Sequence, residues 1–151
     1  MASAEIDPES RFLQFMAEKG LNTTSQRKAI AEIFFRLPGH HSLEEFYKEI
    51  SLIDPGIGQT TVYRTLKLLC EAGLANEIQF KDNITRYEIA NPNAHHDHLV
   101  CLRCGRIVEI CDPRIEELQK EIAEKNGFEL FGHSHNLYGA CAACSGSQNR
   151  N

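Results

Sequence analysis

Residues 58–74, GQTTVYRTLKLLCEAGL, decide the fold of the N-terminal half of the chain. Val62, Leu66 and Leu69 recur at helical spacing, so they predict a helix over residues 59–71 with one apolar face, and Gly73 supplies its stop. The other face is polar and basic, and it carries Thr60, Thr61, Tyr63, Arg64 and Lys67. The segment therefore predicts a helix that packs on one side and presents hydrogen-bond donors and cations on the other.

Further helices are predicted before this segment, and a strand hairpin after it. Apolar residues at helical spacing cover residues 8–19, about 25–37 and 42–52, and Ser42 with Glu45 matches a capping box. Residues 74–80 and 84–89 are strand-like runs around the polar turn 81–83. Helices followed by a two-stranded hairpin indicate a winged helix-turn-helix with helix 59–71 as its recognition helix. The alternative is a small helical bundle whose polar face is merely solvated.

The rest of the chain predicts a second domain. Residues 90–94 (ANPNA) contain Pro and Asn without apolar periodicity, so they predict a hinge between domains 1–89 and 95–144. Strands are predicted over 98–102, 107–110 and 128–137, and a helix from Pro113 to Gly127. The polar tail, 145–151, is expected to be disordered. The predicted fold class is therefore α+β, with an N-terminal winged helix-turn-helix domain and a C-terminal α/β domain.

Composition narrows the class of protein. The chain has 151 residues, a net charge of −5 and no apolar run near the roughly 20 residues of a membrane helix. The N-terminus lacks the apolar core of a signal peptide, so a cytoplasmic location is expected and no membrane partner. The acidic net charge disfavours a simple nucleic-acid binder. Residues 19–31 and 56–70, however, contain basic residues and no acid, so each stretch can present a small positive face.

Two Cys-x-x-Cys pairs predict a structural zinc site. They are Cys101 with Cys104 and Cys141 with Cys144. Four thiolates form a closed tetrahedral shell that suits Zn(II) and leaves no position open for chemistry. A thioredoxin-like redox pair is the main alternative, but it needs a βαβ setting that these residues lack. Cys70 is predicted to be a core thiol, and Cys111 has no partner at ligand spacing.

The run His95-His96-Asp97-His98 leads directly into the first cysteine pair. On an extended strand alternate residues point to opposite faces, so His96 and His98 share one face and His95 and Asp97 the other. One strand can thus contribute to two metal sites, with imidazole and carboxylate ligands that suit Fe(II), Mn(II), Zn(II) or Co(II). Candidates for the remaining ligands are His40, His41, Glu88, Glu109, Glu116, His133 and His135. The alternative is a polar strand end with solvated histidines.

Taken together, GQTTVYRTLKLLCEAGL, then HHDHLVCLRCG, then a histidine and CAAC resemble the ferric uptake regulator family over about residues 12–144. The resemblance implies a dimeric, metal-dependent transcription regulator with an N-terminal winged helix and a C-terminal α+β dimerisation domain. It implies a palindromic, A·T-rich double-stranded DNA operator as partner. It implicates Tyr63 and Arg64 of the fourth helix in DNA contact, and Arg27 matches a second-helix position that faces the DNA backbone. Thr60 and Thr61 lie on the same predicted outward face of the fourth helix, so the candidate DNA-binding residues are Arg27, Thr60, Thr61, Tyr63 and Arg64.

The resemblance also assigns three metal sites. The structural zinc ligands match Cys101, Cys104, Cys141 and Cys144. The regulatory site matches His40, Glu88, His96, His98 and, in some members, Glu109. An additional site matches His95, Asp97, Glu116 and His133. His40 is assigned to the regulatory site in preference to His41 because the number of residues between His40 and Tyr47 is the one found in the family.

The same resemblance favours one branch of the family. Peroxide sensors usually have Asp at the positions of Glu88 and Glu109, and often Asn where Arg64 stands. The chain is therefore predicted to be an Fe(II)-responsive repressor of iron-uptake genes, with Mn(II), Zn(II) or Co(II) as possible substitutes. A peroxide-sensing or other metal-sensing member is the alternative. A metal-dependent hydrolase is a third reading, but the sequence offers no separate base or nucleophile motif, so the protein is predicted not to be an enzyme.

Overall fold

The computed structural model describes residues 6–91 and 97–146, and the chain divides into two compact units between Asn91 and Pro92. The described part of the N-terminal unit contains four helices and three short strands. In chain order they are α1 (Pro8–Glu18), α2 (Ser25–Arg36), β1 (His41–Ser42), α3 (Leu43–Ile53), α4 (Gln59–Glu71), β2 (Ala75–Gln79) and β3 (Thr85–Ile89).

Side-chain caps define where the first three helices begin. Asp7 accepts a hydrogen bond from the Ser10 amide ahead of α1, and Thr24 accepts one from the Arg27 amide at the start of α2. At α3 the bonds are reciprocal. The Glu45 amide donates to Ser42 Oγ at 3.2 Å, and the Ser42 amide donates to Glu45 Oε2 at 2.8 Å. The predicted capping box is therefore present, and it satisfies two amides that the helix itself leaves unpaired.

One apolar core holds the N-terminal unit together. Helices α2 and α3 pack against α4, and α1 packs against α2. Val62, Leu66 and Leu69 of α4 are fully buried, as their spacing predicts. The strands close the core from one side through Tyr87. The other fully or nearly fully buried apolar residues include Phe12, Met16, Ile30, Phe34, Phe46 and Ile50. This core fixes α4 in place and leaves its opposite face to solvent.

The three strands of the N-terminal unit form an antiparallel sheet in the order β1-β3-β2. Tyr87 in β3 lies opposite His41 in β1 and Glu77 in β2. Asn83 adopts a positive φ of 60° in the turn between β2 and β3, a conformation that Asn tolerates well. The β2–β3 hairpin is the predicted wing, and it follows the recognition helix directly.

The C-terminal unit contains β4 (Asp97–Cys101), β5 (Ile107–Ile110), α5 (Pro113–Lys125), β6 (Asn136–Gly139) and α6 (Ala142–Ser145) among its described residues. Its sheet has the order β5-β4-β6, with β5 antiparallel and β6 parallel to β4. Asp112 caps α5 by accepting a hydrogen bond from the Arg114 amide. No helix in residues 6–91 or 97–146 is long and apolar enough to cross a membrane.

The predicted α+β fold class is confirmed, and most element boundaries agree within two residues. The strand predicted over 128–137 is wrong, because β6 covers only Asn136–Gly139. Its partner β4 begins at Asp97, and among the described residues the pairing runs only from His98 with Asn136 to Cys101 with Gly139, so residues 128–135 have no described strand to pair with. Ser145, which was assigned to the disordered tail, is the last residue of α6. Part of the predicted hinge, 92–94, and tail residues 147–151 lie outside the described residues.

Candidate metal centres and DNA-facing helix

The four cysteines of the predicted zinc site lie together at one end of the C-terminal sheet. Cys101 is the last residue of β4 and Cys104 follows in the turn to β5, while Cys141 and Cys144 lie at the start of α6. Gly105 adopts a positive φ of 75°, and its amide donates to the Cys101 carbonyl at 2.9 Å. A glycine suits this turn, because other residues adopt such a φ only at a cost.

The spacing of the sulfur atoms fits a tetrahedral zinc ion. The four ligand atoms all lie within 4.8 Å of one another, and the Cys104 and Cys141 sulfurs are 3.8 Å apart. Sulfurs bound to one zinc at about 2.3 Å, at tetrahedral angles, are separated by about 3.8 Å. The site therefore has the ligand type, number and spacing of a structural zinc centre.

Backbone amides stabilise the thiolate form of Cys101, the first ligand of this centre. The amides of Cys141 and Cys104 donate towards the Cys101 sulfur and lower the pKa of its thiol to about 6. The Cys144 amide likewise lowers the pKa of Cys141. The Cys144 thiol instead donates to the sulfurs of Cys141 and Cys104, which raises its pKa to about 12. The backbone amides thus favour the thiolate forms of Cys101 and Cys141, and the thiolate is the form of cysteine that binds zinc.

A guanidinium links the two halves of the cysteine cluster. Arg103, inside the first Cys-x-x-Cys turn, donates through Nη1 to the Cys144 carbonyl at 2.8 Å. The bond ties the β4–β5 turn to α6, two segments about forty residues apart in the chain. Nothing in the local sequence distinguishes this arginine from a solvated surface cation, so its role emerges only from the fold.

The N-terminal unit contributes an imidazole and a carboxylate from the predicted regulatory set. His40 Nε2 is 2.7 Å from Glu88 Oε2. The antiparallel register of β1 and β3, in which His41 lies opposite Tyr87, places the preceding His40 beside Glu88. His41 instead directs Nε2 to the Pro38 carbonyl at 2.8 Å. Of the two adjacent histidines, the structure therefore places His40 beside the carboxylate.

The C-terminal unit contributes a second such pair. His98 in β4 lies directly opposite Glu109 in β5. The other neighbour of His98 is Asn136 in β6, whose Oδ1 is 3.1 Å from His98 Nδ1. An Nδ1–H donor to this oxygen leaves Nε2 as the lone-pair nitrogen of the neutral ring, which is the form that binds metal. His96, the remaining histidine assigned to this set, lies outside the described residues.

Three of the residues assigned to the additional site, Asp97, Glu116 and His133, are among the described residues of the C-terminal unit. Asp97, which is buried, has one carboxylate oxygen 3.6 Å from His133 Nε2. Glu116 of α5 and His133 line the same cavity of about 230 Å³. His95 lies outside the described residues. Asp97 and His98 are neighbours in β4 and meet different partners, as the alternation of strand side chains predicts.

Helix α4 presents the face predicted to contact DNA. Tyr63 and Arg64 are exposed, as is Thr60, and Thr61 is half-buried. Lys67 is held beside this face by an ion pair with Glu77 of the wing at 2.6 Å, which raises the lysine pKa. Arg27 of α2 is half-buried, and its guanidinium donates to the Asn22 carbonyl at 2.8 Å.

A winged helix-turn-helix with a polar, basic recognition face, followed by a zinc-binding α/β unit with clustered imidazole and carboxylate groups, defines the class of metal-dependent DNA-binding transcription regulators. Within that class, comparison with known protein families identifies one family. The model of the ferric uptake regulator family matches residues 18–138. The chain belongs to the ferric uptake regulator family.

Relatives and solved structures cover nearly the whole chain. The ferric uptake regulation protein of Campylobacter jejuni is 40% identical over 137 residues, which are 89% of this chain and 87% of that protein. The Helicobacter pylori ferric uptake regulator Fur, whose structure reveals three functional metal binding sites, superposes with a TM-score of 0.82 at 31% identity, covering 93% of this chain and 95% of that one. A zinc-bound manganese uptake regulator is 39% identical, with a TM-score of 0.71 over 87% of this chain and 98% of that one.

Sequence reasoning missed the roles of Arg103, His135 and Asn136. In the sequence His135 is only one of several candidate histidines, and no pattern singles out Asn136. Asn136 is the first residue of β6, and His135, whose Nδ1 is 3.2 Å from Asp97 Oδ2, immediately precedes it. The pairing of β6 with β4 sets the neighbours of both residues. The one signal available in the sequence is the spacing of His133 and His135, because residues two apart on an extended segment share a face.

Proposed function

We propose that this protein is an Fe(II)-responsive transcriptional repressor of iron-uptake genes that binds DNA as a homodimer in the cytoplasm. The observation that carries the proposal is that each unit holds one imidazole–carboxylate pair. His40 contacts Glu88 in the N-terminal unit, and His98 lies opposite Glu109 in the C-terminal unit. Such nitrogen and oxygen ligands suit Fe(II), and they are separate from the four thiolates that suit structural zinc.

The division of the regulatory ligands between the two units explains how metal binding would be coupled to DNA binding. We infer that His40 and Glu88 join His96, His98 and Glu109 around one ion, which supplies the free energy that fixes one arrangement of the units. The recognition helices of a dimer reach successive major grooves only at a defined separation. Metal and operator therefore favour the same arrangement, and each strengthens the binding of the other.

The proposed homodimer is supported by apolar surface in the C-terminal unit. Leu99, Val108 and Leu137 lie side by side on three adjacent strands, and each is at least 37% exposed. Leu118 and Ile122 on one face of α5 are exposed as well. A symmetric dimer that covers these residues would present two recognition helices, which matches a palindromic operator.

The identity of the regulatory metal is the finer part of the proposal. Glu88 and Glu109 favour the iron-responsive branch of the family over the peroxide-sensing branch, in which Asp is usual at these two positions. The 39% identity to a manganese uptake regulator means that overall similarity does not select the metal. The family is one of transcription regulators, and a hydrolase would need an open coordination position with a general base beside it.

The test is operator binding by fluorescence anisotropy with a palindromic A·T-rich duplex, under anaerobic conditions, with Fe(II), Mn(II) or Zn(II) added to zinc-loaded protein. We expect Fe(II) to increase affinity by about 5–150-fold, the usual range of allosteric coupling. Glu88→Gln should lose most of this increase, whereas Glu49→Gln, which alters an exposed carboxylate on α3, should retain it.

Three outcomes would contradict parts of this proposal. Equal DNA binding with and without added metal would exclude a metal-dependent repressor. A response to Mn(II) or Zn(II) at concentrations where Fe(II) has none would exclude iron as the effector. Peroxide treatment of the Fe(II)-loaded protein, followed by mass spectrometry, tests the sensing branch. Oxidation of His40 or His96 with loss of DNA binding would move the protein to the peroxide sensors.

A further inference from the structure

Lys67 of α4 lies between an acidic residue of the wing and an aromatic residue of its own helix. Its Nζ is 2.6 Å from Glu77 Oε2 in β2 and 6.0 Å from the centroid of the Tyr63 ring. The lysine thus connects the wing to a residue of the face predicted to contact DNA. The resemblance to the family assigns a DNA contact to Tyr63 but gives Lys67 and Glu77 no role.

The fold of the N-terminal unit brings these three residues together. Tyr63 and Lys67 are four residues apart on α4, a spacing that places two side chains on one face of a helix. Glu77 lies directly opposite Tyr87 in the β2–β3 pairing, so their side chains leave the sheet on the same side. Tyr87 is buried in the core that the sheet shares with α4, so Glu77 is directed towards α4 as well.

The charge of Lys67 is used inside the protein. Lys67 Nζ donates a hydrogen bond to Glu77, which raises the pKa of the lysine and keeps its ammonium charged at neutral pH. An ammonium over an aromatic ring is attracted by the negative face of that ring. The side chains of Lys67 and Glu77 are 41% and 37% exposed, so the pair adds little to the stability of the fold. Its effect is therefore to restrain the direction of the Tyr63 ring.

We propose that Lys67 is a positioning residue for DNA recognition. Held by Glu77, its ammonium restrains the Tyr63 ring in the orientation that contacts the operator, and Lys67 makes no phosphate contact of its own. The inference rests on the proposed DNA contact of Tyr63, but it does not depend on which metal is the effector. The competing interpretation is that Lys67 leaves Glu77 and binds a phosphate. Phosphate contacts strengthen binding to every sequence, whereas base contacts discriminate between sequences.

Sequence preference distinguishes these interpretations. The full-length, zinc-loaded protein first selects a preferred duplex from random-sequence pools, in parallel with Fe(II), Mn(II), excess Zn(II) or no added metal. Fluorescence anisotropy then compares the affinity for that duplex with the affinity for a scrambled duplex of the same composition. Changes in net charge or in the amount of folded protein affect both duplexes and leave the ratio of affinities unchanged. We expect Glu77→Gln, which frees Lys67 from its partner, to lower this ratio by about two- to fivefold, the contribution of an exposed ion pair.

Two double-mutant cycles test whether the three residues act as one unit. Lys67→Gln, alone or combined with Glu77→Gln, should lower the ratio about as much as Glu77→Gln does, because each variant breaks the same pair. The combined variant keeps the original net charge. In a Tyr63→Leu background, Glu77→Gln should have no further effect, because the restrained ring is absent. The matched control is Glu71→Gln, which removes an exposed carboxylate from the same helix and should retain the ratio.

Salt dependence provides a second readout. If Lys67 binds a phosphate, Lys67→Gln weakens binding to both duplexes alike and reduces the slope of log affinity against log salt by about 0.9 for each copy of the lysine. That result would overturn the proposal, as would an unchanged ratio in Glu77→Gln or in Tyr63→Leu. Selection of a sequence without added metal would contradict only the proposed metal response, and the cycles would be measured on that sequence. Selection of no sequence in any pool would overturn both proposals.

Discussion

The two units of this protein bury apolar residues to very different extents. The N-terminal unit has a continuous core to which α1, α2, α3, α4 and the sheet all contribute. Among the described residues of the C-terminal unit, only Val100, Cys101 and Ala123 are buried apolar residues. Its helix α5 leaves Leu118 and Ile122 exposed, although their spacing is that of a core-facing stripe.

This difference indicates that the two units obtain their stability from different sources. Apolar burial contributes about 25 cal/mol for each Å² removed from water, so the N-terminal core can sustain a fold by itself. The C-terminal unit lacks that contribution and instead has four cysteines at zinc-binding spacing and a large apolar surface. We therefore expect it to depend on the metal and on a second copy of the chain.

Removal of the zinc ion should have the largest effect and should be confined to one unit. Binding of zinc to four deprotonated ligands contributes an apparent free energy of about 10–16 kcal/mol in small zinc domains. Cys101→Ser, or a strong chelator, should therefore unfold residues 97–146. Hydrogen exchange read by mass spectrometry should show lost protection there and retained protection in the core of residues 6–91.

Cys111→Ser is the control for the zinc prediction, because Cys111 is an exposed cysteine outside the cluster. It should leave zinc content and protection unchanged. Retention of full protection over residues 97–146 in protein that has been shown to lack zinc would disprove the dependence on metal. Equal loss of protection in both units would disprove the contrast between them.

A cavity in the N-terminal core should have the next largest effect. Phe46 on α3 is buried, and its ring packs edge to face against that of Phe34, with the ring centroids 5.8 Å apart. Phe46→Ala should lower the free energy of unfolding of this unit by about 3–5 kcal/mol, as measured by urea denaturation. Leu52→Ala changes a residue of the same helix that is 82% exposed, and its effect should stay within about 0.5 kcal/mol. Similar losses for both variants would mean that the core does not stabilise the unit.

A charge on the apolar face of α5 should weaken the dimer without unfolding the N-terminal unit. Ile122 is 61% exposed, and burial of an isoleucine at an interface contributes about 1.5–3 kcal/mol. Ile122→Asp should therefore raise the dimer dissociation constant by at least about tenfold in sedimentation equilibrium. Ile53→Asp places the same charge at a residue of the N-terminal unit that is 68% exposed, and the dimer should be unaffected. An unchanged dissociation constant for Ile122→Asp would exclude this face from the interface.

The same contrast explains what the sequence could and could not predict. Helix α4 was predicted with its correct bounds, because Val62, Leu66 and Leu69 face a core within their own unit. Strand β1 was missed, since its two residues are extended only through pairing with β3. The strand predicted over 128–137 was wrong because, among the described residues, β6 is extended only where it pairs with β4, over Asn136–Gly139.

The candidate sites follow a similar rule. The cysteine cluster was predictable because each half of it is local, with two residues between ligands. The separation of Asp97 from His98 was predictable from strand alternation. The contact of Asp97 with His135 was not, because it depends on the parallel register of two segments separated by more than thirty residues. Local pattern thus predicts which residues are ligands, while the sheet register determines which ligands meet.

Loss of the capping box at α3 should have the smallest effect, and it tests whether local bonds add to the N-terminal core. Ser42→Ala removes one of the two reciprocal bonds with Glu45, and such a change lowers stability by about 1 kcal/mol. Ser42→Thr retains the hydroxyl and should unfold close to the original temperature. Amide exchange should accelerate at Glu44 and Glu45 in the alanine variant, while the C-terminal unit keeps its protection. If Ser42→Ala and Ser42→Thr unfold together, the side-chain bond contributes nothing measurable and the core alone holds the start of α3.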